Sequence, residues 1–204
     1  MIPTQHLAAW LSRLVQIPSV SPDHAGPRAG VMGEARLAAE VARCFRELGG
    51  EVEVEEVLPG RPNVYGIWRG RSERWMALDV HLDTVGVEQM AGDPFDGRIA
   101  DGRVYGRGSV DTKASLGVAL ALLEAMLRSG QQPAANLLLV ATMDEESRTQ
   151  GAHAFARWVR RRGFELDQLA VAEPTMCGPV YGHKGWCGPN LRCMAGPLTP
   201  RSRN

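Results

Sequence analysis

A chain of 204 residues with 23 basic and 23 acidic side chains carries no formal net charge, which excludes the basic footprint of a nucleic-acid binder and of a protein drawn to an anionic membrane. With 44% apolar and 23% charged residues, the composition is that of a soluble globular domain, and the longest apolar stretches, "LLLVATM" and "LGVALALLEAML", are too short or too interrupted to span a bilayer. The N-terminus lacks the early positive charge of a secretory signal, and Cys44, Cys177, Cys187 and Cys193 show no C-x-x-C spacing, so the expectation is a cytoplasmic protein with unpaired thiols.

Leu7, Trp10, Leu11, Leu14 and Val15 share one helical face, and Pro18 ends that helix. "PSVSPDHAGPRAG" follows as a turn-rich loop, and Leu37, Val41, Phe45 and Leu48 mark a second helix closed by Gly49-Gly50. "EVEVEEV" alternates as a half-buried strand should, with "NVYGIWRG" as its neighbour, and the more apolar "WMALDVHLDTV" is expected at the centre of the sheet. "GRIADGRVYGRG" predicts a short hairpin turning at Asp101-Gly102. Leu116, Leu120, Leu123 and Leu127 then predict a strong helix with Gly130 past its end. "NLLLVATM" reads as a buried strand, "TQGAHAFARWVRRRG" as a helix and "QLAVAEP" as a further strand. This alternation predicts an α/β fold, a layered sheet with helices on both faces whose strand ends carry the chemistry. The stretch "WCGPNLRCMAGPLTPRSRN" has no hydrophobic period, so residues 186–204 are expected to be an irregular tail on a domain spanning 1–185.

Polar clusters stand where the predicted strands end: His81 and Asp83 in "HLDTV", Asp111 in "GRGSVDTK", Glu145 and Glu146 in "MDEES", Glu173 in "AEPT". Singly, each has an ordinary structural reading. A lone histidine belongs to many cores, Asp111 suits a helix N-cap, a run of acids suits a solvated loop, and Glu173-Pro174 suits a turn. Together they suggest a metal centre. His81 and Asp83 point the same way in an extended chain, which places Asp83 to hold the second nitrogen of a metal-bound imidazole. Glu145 and Glu146 are adjacent and should diverge, one for metal and one for protons. Carboxylates with one imidazole suit zinc, cobalt or manganese. Cations would also offset the repulsion among Asp144, Glu145 and Glu146, with one carboxylate bridging two of them.

"HLDTV", "DGRVYGRGSVDTK", "DEES" and "AEPT", in this order and spacing, resemble the zinc-dependent amidohydrolases and metallopeptidases that include acetylornithine deacetylase, succinyl-diaminopimelate desuccinylase, aminoacylase and carboxypeptidase G. "IPSVSPD" and "YGHKG" fit as well, and the resemblance runs from about residue 5 to residue 185. It implies a zinc-peptidase-like catalytic domain with two divalent metal ions. His81 and Glu173 would bind one metal, Asp111 would bridge, and Glu146 would bind the other. Asp83 would orient His81, Glu145 would be the general base, and the Asp111–Thr112 peptide would be cis. The implied substrate is a small N-acyl amino acid or peptide.

Relatives in that family continue past "GHKG" into an inserted lid or dimerisation domain and then complete the catalytic sheet. The returning segment supplies the second metal's histidine, and the inserted domain an oxyanion histidine. The homodimerisation surface also lies in that inserted domain. The expectation is therefore a C-terminally incomplete catalytic domain of impaired activity, from a frameshift, a premature stop or a fragment; neither His153 nor His183 replaces the missing ligand. The alternative is a non-catalytic remnant or binding module that keeps the fold and at most one metal. A two-metal phosphatase or nuclease lacks the basic groups expected around phosphate.

Overall fold

The apolar periods become helices and strands at close to the expected places. In the computed structural model, which describes residues 2–180 and 182, the helices are α1 (Thr4–Val15), α2 (Ala35–Glu47), α3 (Lys113–Ser129) and α4 (Gln150–Arg162). The strands are β1 (Glu51–Leu58), β2 (Arg61–Trp68), β3 (Trp75–His81), β4 (Ile99–Ala100), β5 (Arg103–Val104), β6 (Asn136–Thr142) and β7 (Gln168–Val171). The main sheet has the order β1-β2-β6-β3-β7. β1 and β2 form an antiparallel hairpin and β2 is antiparallel to β6, whereas β3 runs parallel to both β6 and β7. The small β4–β5 hairpin turns at Asp101 (φ 51°) and Gly102 (φ 70°), two successive left-handed residues, as the tightest hairpin turn requires.

Side chains alternate across the sheet, and both faces are covered. Val64, Trp68, Val80, Leu139 and Ala141 pack against α1, α2 and α3 through Leu14, Leu37, Phe45, Leu116 and Leu120. On the opposite face Tyr65, Ile67, Ala77, Leu138 and Val140 meet Phe155 and Trp158 of α4. Tyr65 stacks on Trp158 at 4.2 Å between ring centroids, and Trp158 on Phe164 at 5.1 Å.

Two expectations need correction. β3 is flanked on both sides but is not the middle strand; that place belongs to β6. An apolar strand reports that both its faces are covered, which says nothing of its rank in the order. β1 alternates as expected, but with a different outcome. Val54 is exposed, while Glu53 and Glu55 turn toward the basic end of α4. Glu53 accepts from Trp158 Nε1 at 2.9 Å and pairs with Arg162 at 2.7 Å. Glu55 pairs with Arg161 at 2.7 Å and accepts from the Tyr65 hydroxyl at 2.6 Å. A period of two fixes which residues share a face, and the partner helix decides which face is covered.

One carboxyl lies within the sheet itself. Asp79 of β3 is 6% exposed and accepts a hydrogen bond from the Thr142 hydroxyl of β6 at 2.8 Å. Burial outweighs that bond and pushes its pKa up to about 6.

The chain divides into a unit Met1–Pro174, described above, and a unit Thr175–Asn204. In the second, the described residues turn at Met176–Cys177, where Gly178 N–H donates to the Thr175 carbonyl at 3.0 Å. The irregular tail expected over 186–204 lies outside the described residues, as does His183. Among the described residues no helix is long and apolar enough to cross a membrane.

Trp158→Ala removes a 3% exposed side chain from the α4 face and should cost about 3–5 kcal/mol of stability, read from the urea midpoint. The raised pKa of Asp79 sets a sign. Between about pH 4 and pH 6 the folded protein holds a proton that the unfolded chain releases, so metal-free protein in chelator should lose stability as pH rises through that window. Asp79→Asn should flatten that part of the profile, by on the order of 2–3 kcal/mol across the window. Parallel profiles for the two proteins would show that Asp79 does not titrate there.

Candidate metal centre

β3, β6 and β7 run parallel and end together. His81 is in register with Thr142, and Asp79 with Val171, so the turn after Thr142 and Glu173, two residues past Val171, reach the same end of the sheet as His81. Asp111 arrives from the turn leading into α3. Side chains at the carboxyl ends of parallel strands are where α/β sheets place their ligand sites. Asp111 does not cap α3, because Thr112 holds the N-cap position. The Asp111–Thr112 peptide is cis.

His81 is buried, and its two ring nitrogens face different partners. Nδ1 lies 3.0 Å from the backbone carbonyl of Asp83 and 3.6 Å from its carboxylate. Nε2 lies 2.9 Å from Asp111 Oδ1. The Asp83 carbonyl therefore holds the imidazole. The fully buried carboxylate of Asp83 instead accepts two backbone bonds, from Glu145 N–H at 2.9 Å and Glu146 N–H at 3.1 Å. One residue thus fixes the ring at the end of β3 and the acidic turn at the end of β6.

The three consecutive acids do not share one environment. Asp144, at φ 66°, turns inward and is fully buried, 3.0 Å from Arg61 Nη1. Glu145 and Glu146 do not diverge. Each offers an oxygen that, with a His81 nitrogen, lies within a 4.8 Å cluster, and His81, Asp111 and Glu173 form a second such cluster. Among the described residues these are the groupings of metal-ligating side chains, and both use His81. His153 is exposed on α4 and belongs to neither.

The electrostatics follow from crowding. Burial opposes a charge on His81, yet the carboxylates of Asp111 and Asp83 and the field of Glu145 overcome it and push the imidazole up to about 11. Asp111 is held low, first by its bond to His81. Burial raises Glu145 and Glu146, and neighbouring carboxylates add to it against the pull of His81. Glu173 is exposed as a residue, but the loss of hydration at its carboxyl group, reinforced by Glu145, Asp111 and Glu146 against His81, pushes it up to about 7. Carboxylates held together at a cost to their ionised forms, with one imidazole and no thiolate, make a donor set that fits a divalent cation of the zinc class. The cluster borders a cavity of about 170 Å³ lined by Asp79, His81, Thr142, Glu145, Val171 and Glu173. A wider, more open hollow of about 580 Å³ sits at the opposite end of the strands, beside Trp75 and Asp167; it holds neither cluster.

Sequence patterns missed the support beneath the acidic turn. Asn63 of β2 is fully buried; its side-chain NH2 donates to the Gly151 carbonyl at 2.8 Å, and its Oδ1 accepts from Met143 N–H at 3.0 Å. Gly151 packs so closely that a Cβ there would lie 2.2 Å from the Met143 carbonyl oxygen. Glu34 and Arg61 form a buried pair against the same turn. The one available signal was a polar "RPN" opening a strand that is otherwise apolar.

The profile of peptidase family M20/M25/M40 matches residues 77–182, which contain every side chain of both clusters. The chain is similar to succinyl-diaminopimelate desuccinylase of Methylibium petroleiphilum, 32% identical over 84% of this chain and 44% of that protein. It is also similar to acetylornithine deacetylase of Vibrio campbellii, 33% identical over 75% of this chain and 39% of that protein. It therefore spans about two fifths of the length of these curated relatives. Its fold is similar to that of human carnosine dipeptidase 1, with a TM-score of 0.69 at 20% identity, covering 82% of this chain and 38% of the other. With the family profile spanning the strand ends that carry the clusters, the chain belongs to peptidase family M20/M25/M40.

Proposed function

We propose that this chain carries the metal-binding part of a hydrolase that cleaves the amide bond of a small N-acyl amino acid or peptide. The observation that carries the reading is the convergence of His81, Asp111 and Glu173, with Glu145 and Glu146, at one end of the parallel strands. Relatives named for desuccinylation and deacetylation support the substrate class.

His81 and Glu173 would hold one cation, Glu146 would hold a second, and Asp111 would bridge the two. Zinc is the favoured ion, with cobalt or manganese compatible with the same donors. A cation bound there polarises a carbonyl oxygen and lowers the pKa of water toward about 7. Asp83 is a positioning residue; its carbonyl presents the His81 ring and its carboxylate fixes the Glu145–Glu146 backbone. Glu145 is the proton carrier. It takes a proton from the attacking water as the C–O bond forms and delivers it to the amine nitrogen as the C–N bond breaks.

Zinc titration by calorimetry tests the binding half. His81→Ala should weaken zinc by more than the roughly 10–100-fold cost of losing an outer partner. Affinity should rise with pH through about 7 and go on rising above it, because Glu173 and then the His81 imidazole must each release a proton before binding a cation. Unchanged zinc affinity in His81→Ala would overturn the assignment. For the chemistry, Glu145→Gln should lower kcat for zinc- or cobalt-supplemented hydrolysis of N-acyl amino acids by about 10²–10⁴-fold and leave zinc affinity intact. Full turnover in that variant would remove Glu145 from the proton path.

A further inference from the structure

The acidic turn is held from two sides, and the second side is an ion network that no sequence motif marks. Glu34, the residue before α2, is fully buried, and Arg61 at the start of β2 is 8% exposed. The guanidinium grips Glu34 bidentately, Nε to Oε2 at 2.8 Å and Nη2 to Oε1 at 2.5 Å. Its Nη1 lies 3.0 Å from Asp144 Oδ1. Among the described residues that oxygen has no aligned hydrogen-bond donor, so the Arg61–Asp144 contact is an ion pair rather than a directed bond. Glu34 Oε1 also accepts the Asp144 backbone N–H at 3.2 Å. Gln150 adds a donor to Asp144 Oδ2 at 3.3 Å, and the Asp144 carbonyl accepts the backbone N–H groups of Arg148 and Thr149 at 3.2 and 2.7 Å.

Asp144 is therefore fixed through its N–H, its carbonyl and its carboxylate, in a left-handed conformation that reverses the chain directly before Glu145 and Glu146. A planar guanidinium is suited to this, because it reaches two carboxylates in fixed directions where a lysine ammonium is a single point. The geometry points to Arg61, acting through Glu34 and Asp144, as a positioning residue that aims Glu145 and Glu146 at His81. Asp144 belongs to this support and not to the ligand set, although it directly precedes the two glutamates.

Amide hydrogen exchange on metal-free protein tests this directly. The Glu145 and Glu146 N–H groups are the donors held on Asp83, and the β6 amides Leu138 to Val140 report the intact sheet. In Arg61→Lys, and in Asp144→Asn, which keeps a side chain tolerant of the left-handed conformation, the two glutamate amides should exchange at least about tenfold faster with β6 protection unchanged. Wild-type exchange at both amides in the folded variants would overturn the inference. Loss of β6 protection in Arg61→Lys alone leaves the decision to Asp144→Asn by the same comparison, and loss in both would make the network a core element and overturn the positioning role. The consequence for cations rests on the metal-binding reading above: zinc affinity should fall about 10–100-fold in both variants. Faster glutamate exchange with a wild-type protein that takes no zinc would sustain the positioning role and refute the metal reading.

Discussion

The centre depends on one crosslink between strand ends: the Asp83 carboxylate accepting the backbone N–H groups of Glu145 and Glu146. Two charge-assisted bonds to adjacent amides define both the distance and the rotation of the turn that follows β6. The same residue's carbonyl holds Nδ1 of His81, so the imidazole and the two glutamates are referred to one buried side chain. Because that carboxylate is fully buried, its acceptor sites have to be filled from within the protein, and the turn supplies the donors.

Around this crosslink the fold solves a charge problem. Asp79, Asp83, Asp111, Glu145, Glu146 and Glu173 are gathered at one end of a sheet whose two faces are apolar. The acids divide the work of neutralisation. Asp83 is served by backbone donors, Asp144 by Arg61 and Asp79 by Thr142. Glu145, Glu146 and Glu173 have raised pKa values, and among the described residues His81 is the counterweight that opposes the rise. All three offer oxygens to the clusters around His81, which is the pattern expected where a protein leaves room for a cation.

Much of this was legible in the sequence because parallel strands ending together turn linear spacing into proximity. "HLDTV", the acids after "NLLLVATM" and Glu173 in "QLAVAEP" each sit at a strand end, and the register gathers them. What could not be read was the side-chain traffic between distant stretches. Asp144, Glu145 and Glu146 look alike in the chain, yet Asp144 leaves the group because Arg61, 83 positions earlier, claims it. Asp83 was expected to orient His81 with its carboxylate; its carbonyl does so, because the carboxylate is committed to the neighbouring turn. The alternation of β1 was visible, but the basic end of α4 chose which of its faces is covered.

Gly151 shows where evolutionary latitude at this centre stops. It follows the acidic turn, at the start of α4, and its Cα lies against the Met143 main chain and the Asn63 amide. Every single-base change in a glycine codon that is not silent either ends translation or introduces a side chain. Each such replacement would have to push apart the backbone from which the glutamates project. Drift at a position with no chemistry of its own is thus barred by the chemistry next door.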